Sequence, residues 1–539
     1  MENRFISLLY PSLESYTAHR ERRDIPAVSE QVCQELGLTQ LLGLRASPTE
    51  FFTADRQVIE YRQRALTDLE ALPSVRKTLA EVIPALLDIT ELRRLRADVQ
   101  DSTGDFYLYS ITEVELYVRC ITVLHEGFAP IFDKLGSEAF RSLATLAIET
   151  AESDYYKELK EAIAKLSQQM VEVRSITVGV NLDGQLRPSE AGIISINAQR
   201  FKSGSTLDKI LRLSFKNDAM TCIANLTPFG KGDSDNRKDA LVGAFHTAIE
   251  DVFRSSVRGW RSIVSDYVLE NTDGLLRILP EIELLEKASA LTDALRERGY
   301  RLTMPRICPA QDKVFRAIDL YNPDVALRIS ERIVPNDFSF DEMAGIYVIT
   351  GPNRGGKSVH TCAVGLAQAM AQLGLPVCAE EAEISPVDRI ETHFPQGADD
   401  TIDKGRLGEE CARLRAIFEH VTPASMVLLD ESLSSTGAFE ASYIASDVLM
   451  GLALVGCRCI FSTHLHELAA LVPSISQAAA ERGGCRIDTL TAEIEQGGGR
   501  SFRVVRARPD GKSYAKDIAE KYGLGMEQIL SLIGNKSEK

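Results

Sequence analysis

The most informative stretch of the sequence is GIYVITGPNRGGKSVHT, residues 345–361. Its apolar run IYVIT has the composition of a buried strand and ends at Thr350. The segment from Gly351 to Ser358 then fits the pattern G-x-x-x-x-G-K-[ST], between a strand-like and a helix-like run. Glycines in such a turn let backbone N–H groups face phosphate oxygens, and the following helix directs its positive end at them. The stretch therefore predicts a phosphate-binding loop.

Two side chains of this loop have specific expected tasks. Lys357 would reach the β and γ phosphate oxygens, and the hydroxyl of Ser358 would bind Mg²⁺. The expected ligands are therefore ATP and Mg²⁺. The other nucleotide-binding candidates in the loop and its helix are Gly351, Pro352, Asn353, Arg354, Gly355, Gly356 and Val359.

A second strand-like run, SMVLLDES, places two carboxylates where a strand ends. Ligand chemistry in open α/β sheets gathers at the carboxyl ends of strands. We expect Asp430 to help hold Mg²⁺ and Glu431 to polarise the attacking water as general base. Two solvated acids at the end of a strand are the alternative interpretation.

A third strand-like run, CIFSTHLHEL, ends at His464. This histidine could sense the γ-phosphate as a catalytic residue, and an ordinary loop histidine is the alternative. A zinc protease pattern starting at His466 would need a histidine at position 470, where the chain has Ala470. The sequence therefore offers no metal site here.

Length and composition indicate a multidomain globular protein. A chain of 539 residues, 44% hydrophobic and 26% charged, is too long for a single core and predicts two to four domains. No apolar run reaches 18 residues and no signal peptide is evident, so we expect a cytoplasmic protein. The ten scattered cysteines are expected to be buried reduced thiols. The net charge of −16 argues mildly against nucleic-acid binding, although local basic patches can still grip DNA.

Changes of pattern along the chain predict its organisation. Residues 1–46 are expected to form a short helical cap, and residues 47–300 a helical body. An insert at about 167–220 has β-branched residues around Asp183 and Gly184, which predicts a hairpin. Strands and helices alternate over 301–505, which predicts a mostly parallel sheet covered by helices. Residues 506–539 are expected to be mainly helical.

A basic stretch lies within the insert. It could contact DNA phosphates, or it could be a solvated face interrupted by Asp208; the sequence leaves both interpretations open. The DNA-contact candidates are Arg200, Lys202, Lys209, Arg212 and Lys216.

Taken together, these blocks resemble the MutS family of DNA mismatch repair ATPases. TGPNRGGKS is similar to the family's phosphate loop, and VLLDESLSSTGAFEA to its Walker B strand. Four further blocks follow the family's order: IVPND, PVCAEEAEISPVDRIETHFPQGADD, FSTHLHEL and PDGKSYAKDIAEKYG. The resemblance covers about 300–539 strongly and about 47–300 more weakly, where VIEYRQRALTDL is similar to the start of the family's lever domain.

The resemblance implies an α/β P-loop ATPase domain of the ABC type and a mainly α-helical lever domain that carries a small β-containing clamp. It implies a DNA-dependent ATPase that hydrolyses ATP to ADP and phosphate. Two copies would sandwich ATP and Mg²⁺ and clamp mismatched or branched DNA during mismatch repair or recombination control. Residues 506–539 would form a helical dimerisation segment. Other repair proteins are further partners that the resemblance suggests, no membrane is involved, and the protein would be cytoplasmic and nucleoid-associated.

Three departures from the family's pattern matter. The mismatch-reading and connector domains are expected to be missing, and the chain leaves no room for a C-terminal nuclease domain. The signature that acts on the partner subunit's nucleotide reads GRLGEE, with Gly405 where the family has serine; we hypothesise that Arg406 supplies charge there. Where the family often has an aromatic residue that stacks on adenine, the chain has Ile333 or Val334, and this aliphatic wall predicts loose base selectivity.

An interaction protein that is switched by nucleotide and does not bind DNA is the alternative function. The acidic balance supports it. Another cassette ATPase, such as a chromosome-structuring protein, fits less well because no LSGG-type signature or long coiled coil is visible.

Overall fold

The computed structural model describes most of the chain, and its packing forms two compact units. The described residues are 5–21, 26–97, 104–171, 175–185, 188–197, 227–228, 269–341, 344–352, 355–395, 405–494, 500–507 and 525–530. The first unit comprises residues 1–6, 72–135 and 140–279, and the second comprises residues 7–71, 136–139 and 280–539.

The helices of the described residues are numbered in chain order. They are α1 (Leu13–Arg20), α2 (Glu30–Glu35), α3 (Leu38–Leu42), α4 (Arg56–Ala71), α5 (Pro73–Ala97), α6 (Gly104–Phe128), α7 (Glu138–Glu152), α8 (Asp154–Val171), α9 (Leu269–Arg277), α10 (Leu279–Glu297), α11 (Pro323–Arg328), α12 (Lys357–Leu373), α13 (Gly405–His420), α14 (Ala438–Val455) and α15 (His466–Glu481). Short 3₁₀ turns occupy Pro48–Glu50, Ala129–Lys134 and Ala310–Asp312.

The strands are numbered in the same way. They are β1 (Ser175–Leu182), β2 (Pro188–Asn197), β3 (Thr227–Pro228), β4 (Arg306–Ile307), β5 (Phe315–Leu320), β6 (Asn336–Phe340), β7 (Ile346–Thr350), β8 (Glu381–Ile384), β9 (Ile390–His393), β10 (Met426–Asp430), β11 (Arg458–Ser462), β12 (Ile487–Ile494) and β13 (Arg500–Arg506).

The first unit joins helices α5, α6, α8 and α9, and most of α7, to a small antiparallel sheet of order β1-β2-β3. Strands β1 and β2 form the predicted hairpin, and Asp183 accepts a hydrogen bond from the backbone N–H of Gln185 in its turn. Helices α5 and α6 are linked by Glu113, which is 1% exposed and accepts hydrogen bonds from Arg93 and Arg96. A buried carboxylate needs such partners, so this link fixes the pairing of the two helices.

The second unit is built on a six-stranded sheet of order β13-β12-β7-β11-β10-β9. Strands β12, β7, β11, β10 and β9 run parallel to their neighbours, and β13 runs antiparallel to β12. Every residue of β7, β10 and β11 is buried, as expected of parallel strands that are covered on both faces. The predicted mostly parallel sheet is therefore confirmed.

Helices cover both faces of this sheet. On one face, α13, α14 and α15 share a hydrophobic cluster with side chains of β7, β10 and β11. On the other face, α12 packs close to the sheet because Gly365 has no side chain. A Cβ built on Gly365 would lie 2.5 Å from Leu428 of β10 and 2.6 Å from Leu36.

A smaller sheet of order β4-β8-β5-β6 completes the second unit. By length and composition, one helix of the described residues, α14, could cross a membrane. That helix contributes Ala441, Leu449 and Leu452 to the buried cluster, so its apolar character serves the core.

The packing divides the chain at different places from the predicted domain boundaries. Residues 7–71 and 280–300 belong to the same unit as the sheet, whereas we expected boundaries after 46 and 300. Glu281 accepts hydrogen bonds from Ser7 Oγ at 2.9 Å and from the Leu8 N–H at 2.6 Å, and Arg62 Nε donates to Leu9 O at 3.2 Å. These buried contacts integrate both ends of the predicted lever segment into the second unit. The functions assigned to the four predicted domains stay predictions.

Candidate functional site

The predicted phosphate loop follows β7 directly. Gly351 has φ 131° and Gly356 has φ 93°, both in the region that favours glycine. A Cβ on Gly351 would lie 2.9 Å from the Cβ of Ala492, so this position also has no room for a side chain. Helix α12 begins at Lys357, with Gly356 as its N-cap. The loop therefore has the strand–turn–helix context that the motif requires.

Lys357 is held inside this loop. Its side chain is 4% exposed, and Nζ donates to the carbonyl oxygens of Gly351 and Pro352, each at 3.1 Å. Burial lowers the pKa of Lys357, while the charges of Glu431 and Asp430 oppose that shift. The buried cation thus lies close enough to both carboxylates to feel their charge.

The loop and the second strand are joined by a hydrogen bond between Ser358 and Asp430. Ser358 Oγ donates to Asp430 Oδ1 at 3.0 Å, at the point where β10 ends. Burial raises the pKa of Asp430 to about 6, and the hydrogen bond from Ser358 opposes this shift. The Ser358 hydroxyl oxygen and the Asp430 carboxylate lie side by side, and they offer the hard oxygen ligands that Mg²⁺ prefers.

Glu431 follows Asp430 in a strained backbone conformation. Its φ is 46°, an unusual value for a residue with a side chain, and its N–H donates to Ser462 O of β11 at 2.8 Å. Glu431 lines the same pocket as Lys357 and Ser358. The structure thus brings together the residues expected to bind phosphate, metal and water.

That pocket has a volume of about 360 Å³. Gly355, Gly356, Lys357, Ser358, Val359 and Glu431 lie at one part of its wall, and Ile333 also lines it as predicted. The sequence interpretation missed most of the remaining lining residues. They are Leu320, Tyr321, Asn322, Val325, Ile329, Glu331, Arg332, Asn336, His360, Ala363 and Phe502. Val334, which we expected with Ile333 to offer adenine an aliphatic wall, lines the pocket as well.

Phe502 is the most informative of the missed residues. It lies in β13 with φ 55°, beside an irregularity in the β12–β13 register, and its ring is 46% exposed. A Cβ on Gly356 would lie 3.7 Å from its Cδ1 atom. Asn336 fixes the backbone there, because its Nδ2 donates to Phe502 O at 3.1 Å and its Oδ1 accepts from Val504 N at 2.7 Å. An irregularity in a strand can redirect a side chain in this way. The sequence pattern does not predict where such an irregularity lies.

Three other predicted site residues lie away from the pocket wall. His464 follows β11 and is exposed. Gly405, with φ 67°, and Arg406 begin α13 and are exposed as well. Of the remaining candidates, Asn353, Arg354, Arg200, Lys202, Lys209, Arg212 and Lys216 lie outside the described residues.

The chemistry of the assembled groups suits a phosphate-bearing ligand. Within the described ranges, no group of three or more His, Cys, Asp or Glu side chains could hold a metal by itself. Ser358 and Asp430 would therefore share a cation with an anionic ligand, as Mg²⁺ is commonly bound together with substrate phosphates. The buried lysine, this oxygen pair and Glu431 can bind such a ligand and polarise a water beside it.

Comparison with known proteins connects this site to one family. Residues 347–524 match the family model described as MutS domain V, and residues 54–226 match the model described as MutS2 N-terminal domain. Together the two matches cover both compact units in part, and the first contains the phosphate loop, Asp430 and Glu431.

Several curated proteins are similar to the chain. The DNA mismatch repair protein MutS of Chloroflexus aurantiacus is 34% identical over 272 residues, which is 49% of this chain and 27% of that protein. The protein of the same name from Thermosipho melanesiensis is 30% identical over 302 residues, 54% of this chain and 34% of that protein. The one from Halothermothrix orenii is 29% identical over 298 residues, 54% and 31% respectively. The matched segment thus spans about a quarter to a third of these relatives.

Proposed function

Because this chain belongs to the MutS family, we propose that it is an ATPase that couples the binding and hydrolysis of ATP to the clamping of mismatched or branched DNA. One observation carries the ATPase part of the proposal. The hydrogen bond between Ser358 and Asp430 joins the phosphate loop to the end of β10, so that Lys357 and Glu431 border one pocket.

The residues around the pocket would share the work of phosphoryl transfer. The backbone of the loop and the Lys357 ammonium group would bind the phosphates, with Nζ exchanging the carbonyl oxygens of Gly351 and Pro352 for phosphate oxygens. Ser358 and Asp430 would hold Mg²⁺, which neutralises phosphate charge when bound. Glu431 would orient the attacking water and accept its proton.

Apolar side chains of the pocket wall suggest how the base is bound. Phe502 presents an exposed ring beside the loop, and Ile333 and Val334 provide aliphatic surface. An aromatic face stacks on any nucleobase. The proposed adenine contact therefore includes Phe502, in addition to the aliphatic wall expected from the sequence.

Replacing Glu431 tests the catalytic assignment. Glu431→Gln keeps the size of the side chain and removes its basicity, so ATP affinity should stay within about threefold while turnover falls at least ~100-fold. Phosphate release and equilibrium nucleotide binding measure the two effects, with the exposed Asp447→Asn on α14 as control. Retained turnover would remove Glu431 from this role, and a wild-type protein that binds no ATP would overturn the ATPase proposal.

The exposed start of α13 is proposed to act on a second copy of the chain. Gly405 cannot supply the hydroxyl of the family's signature, and Arg406 has a guanidinium group that suits phosphate geometry. In a dimeric sample Arg406→Ala should lower turnover about 10-fold or more, because a cation that stabilises developing phosphate charge acts mainly in the transition state. Arg415→Ala, at an exposed position on the same helix, is the matched control. Unchanged turnover of Arg406→Ala would show that this charge is not used.

DNA binding is proposed through the insert that contains Arg200, Lys202, Lys209, Arg212 and Lys216. Affinity for homoduplex, mismatched and four-way junction DNA should fall steeply as salt rises if these cations contact phosphates. Absence of binding at low salt, with ATP turnover intact, would instead support the alternative of a nucleotide-switched interaction protein, which the net charge of −16 favours. A cytoplasmic, nucleoid-associated location and further repair partners belong to the same proposal.

A further inference from the structure

The turn that carries Glu431 is strained at two positions. Glu431 has φ 46° and Leu433 has φ 64°, and neither residue is glycine. The left-handed region is unfavourable for a residue with a side chain, because Cβ comes too close to the following carbonyl oxygen. Such a conformation persists only where surrounding contacts hold it. Ser432 lies between the two strained residues, and its side chain makes contacts of this kind.

Ser432 is held by a buried histidine at the end of the neighbouring strand. Its side chain is 3% exposed, and its Oγ lies 2.7 Å from His393 Nδ1 and 3.3 Å from His393 O. His393 is the last residue of β9 and is 2% exposed. Both contacts are satisfied when Nδ1–H donates to Oγ and the hydroxyl donates to the carbonyl. The pair therefore holds the Ser432 side chain, which lies between the two strained residues, against the end of β9.

The histidine is neutral in this environment. Burial, followed by the charge of Arg413, lowers the pKa of His393 to about 4, against a smaller opposing effect of the Glu410 backbone. A neutral ring donates from only one nitrogen, and donation from Nδ1 to Ser432 Oγ leaves the hydroxyl proton available for His393 O.

The same turn is also fastened to helix α13. Ser435 Oγ donates to Glu410 Oε2 at 2.6 Å, and Arg413 Nη1 donates to Phe394 O, next to His393, at 3.1 Å. The strand end, the strained turn and the helix that begins with Gly405 and Arg406 thus form one hydrogen-bonded cluster.

We infer that His393 is a positioning residue, which acts through Ser432 to hold the strained turn and thereby directs Glu431 into the phosphate pocket. This inference rests on the proposed ATPase function. His393 is not among the described residues that line the pocket, so its loss should lower the rate of hydrolysis while nucleotide binding, which depends on Lys357 and the loop backbone, is retained.

The test compares kcat and KM for ATP in five variants, four single and one double. Ser432→Ala and His393→Phe remove the two partners, and each should lower kcat about 10-fold, equivalent to about 1.4 kcal/mol, with KM and ATP affinity within about twofold of wild type. Ser432→Thr keeps the hydroxyl and His393→Asn keeps a donor near Nδ1, so both should retain most of the rate. The double variant Ser432→Ala/His393→Phe should be no slower than the slower single variant, because both remove one interaction.

Thr392→Val is the matched control. Thr392 precedes His393 in β9 and is 8% exposed, and its hydroxyl has no hydrogen-bond partner among the described residues. Its replacement should leave kcat unchanged. If His393→Phe does not fold, the smaller change Ser432→Ala decides the question.

The outcomes separate the inference from the function on which it rests. A Ser432→Ala variant with the kcat of wild type would overturn the inference. A loss of ATP affinity as large as the loss of rate would also overturn it, because it would indicate a structural role. A wild-type protein without ATP turnover would instead contradict the proposed function itself.

Discussion

At the scale of single residues, Phe502 gives the pocket wall an exposed aromatic side chain. The residue combines a left-handed backbone, an exposed ring and a position beside Gly356. A large exposed aromatic at a strained position is typical of a residue kept for binding. We therefore expect its role to be in affinity for the base.

Removing this ring should weaken nucleotide binding without changing the chemistry. Phe502→Ala should raise the Kd for ATP roughly 5–100-fold, because base–aromatic stacking contributes ~1–3 kcal/mol, and should leave kcat at saturating ATP nearly unchanged. Titration with a fluorescent ATP analogue measures the change. Phe439→Ala, at a position that is 81% exposed and not part of the pocket wall, is the matched control. Equal Kd values for Phe502→Ala and wild type would exclude the stacking role.

At the scale of elements, helix α12 shows why the phosphate loop is held firmly. Gly365 lets the helix approach β10 and the end of α2, and buried Gln372 donates to the carbonyl oxygens of Val387 at 2.9 Å and Thr53 at 3.2 Å. The helix that starts at the loop is therefore fixed along its length by packing and by satisfied buried hydrogen bonds.

A methyl group at Gly365 should disturb this packing. Gly365→Ala places a Cβ 2.5 Å from Leu428, and the overlap should destabilise the second unit by about 1–3 kcal/mol, despite the better helix propensity of alanine. Chemical denaturation measures the free energy of unfolding. Gly274→Ala in α9, where a Cβ would meet no atom within 4 Å of the described structure, should be neutral or slightly stabilising. A Gly365→Ala protein as stable as wild type would contradict the close packing.

At the scale of the whole molecule, Glu281 makes folding depend on pH. Burial raises the pKa of this carboxyl group to about 7, while hydrogen bonds from Leu8 and Ser7 and the charge of Arg62 oppose the shift. The folded protein then binds more protons than the unfolded chain between about pH 4.5 and 7. The stability of the second unit should accordingly fall as pH rises through this range.

The difference between wild type and Glu281→Gln isolates this effect. Relative to the variant, wild type should lose up to about 3 kcal/mol of unfolding free energy between pH 4.5 and 7, and the difference should be constant above pH 8. The comparison cancels the contribution of Asp430, whose raised pKa acts with the same sign at lower pH. Denaturation at several pH values measures it. A pH-independent difference would show that Glu281 titrates as an ordinary carboxyl group.

Several parts of this protein follow from local sequence pattern. The glycine-rich loop after β7, the strand that ends at Asp430, the hairpin of β1 and β2 and the mostly parallel sheet could all be predicted, because glycine placement and apolar runs restrict what the backbone can do locally. The pattern also sufficed to place Lys357, Ser358 and Asp430 in one site, since the carboxyl ends of parallel strands meet at one edge of a sheet.

Tertiary packing determines which distant side chains complete the site and where the chain divides into compact units. Phe502 reaches the pocket through an irregular strand, His393 meets Ser432 across 39 residues of sequence, and Glu281 meets Ser7 across 274. Such contacts arise from the packing of elements far apart in the chain, and their free energy depends on burial that no local pattern reports. Tertiary packing therefore placed residues 7–71 with the sheet, although we expected residues 1–46 to form a separate helical cap and the lever to begin at residue 47.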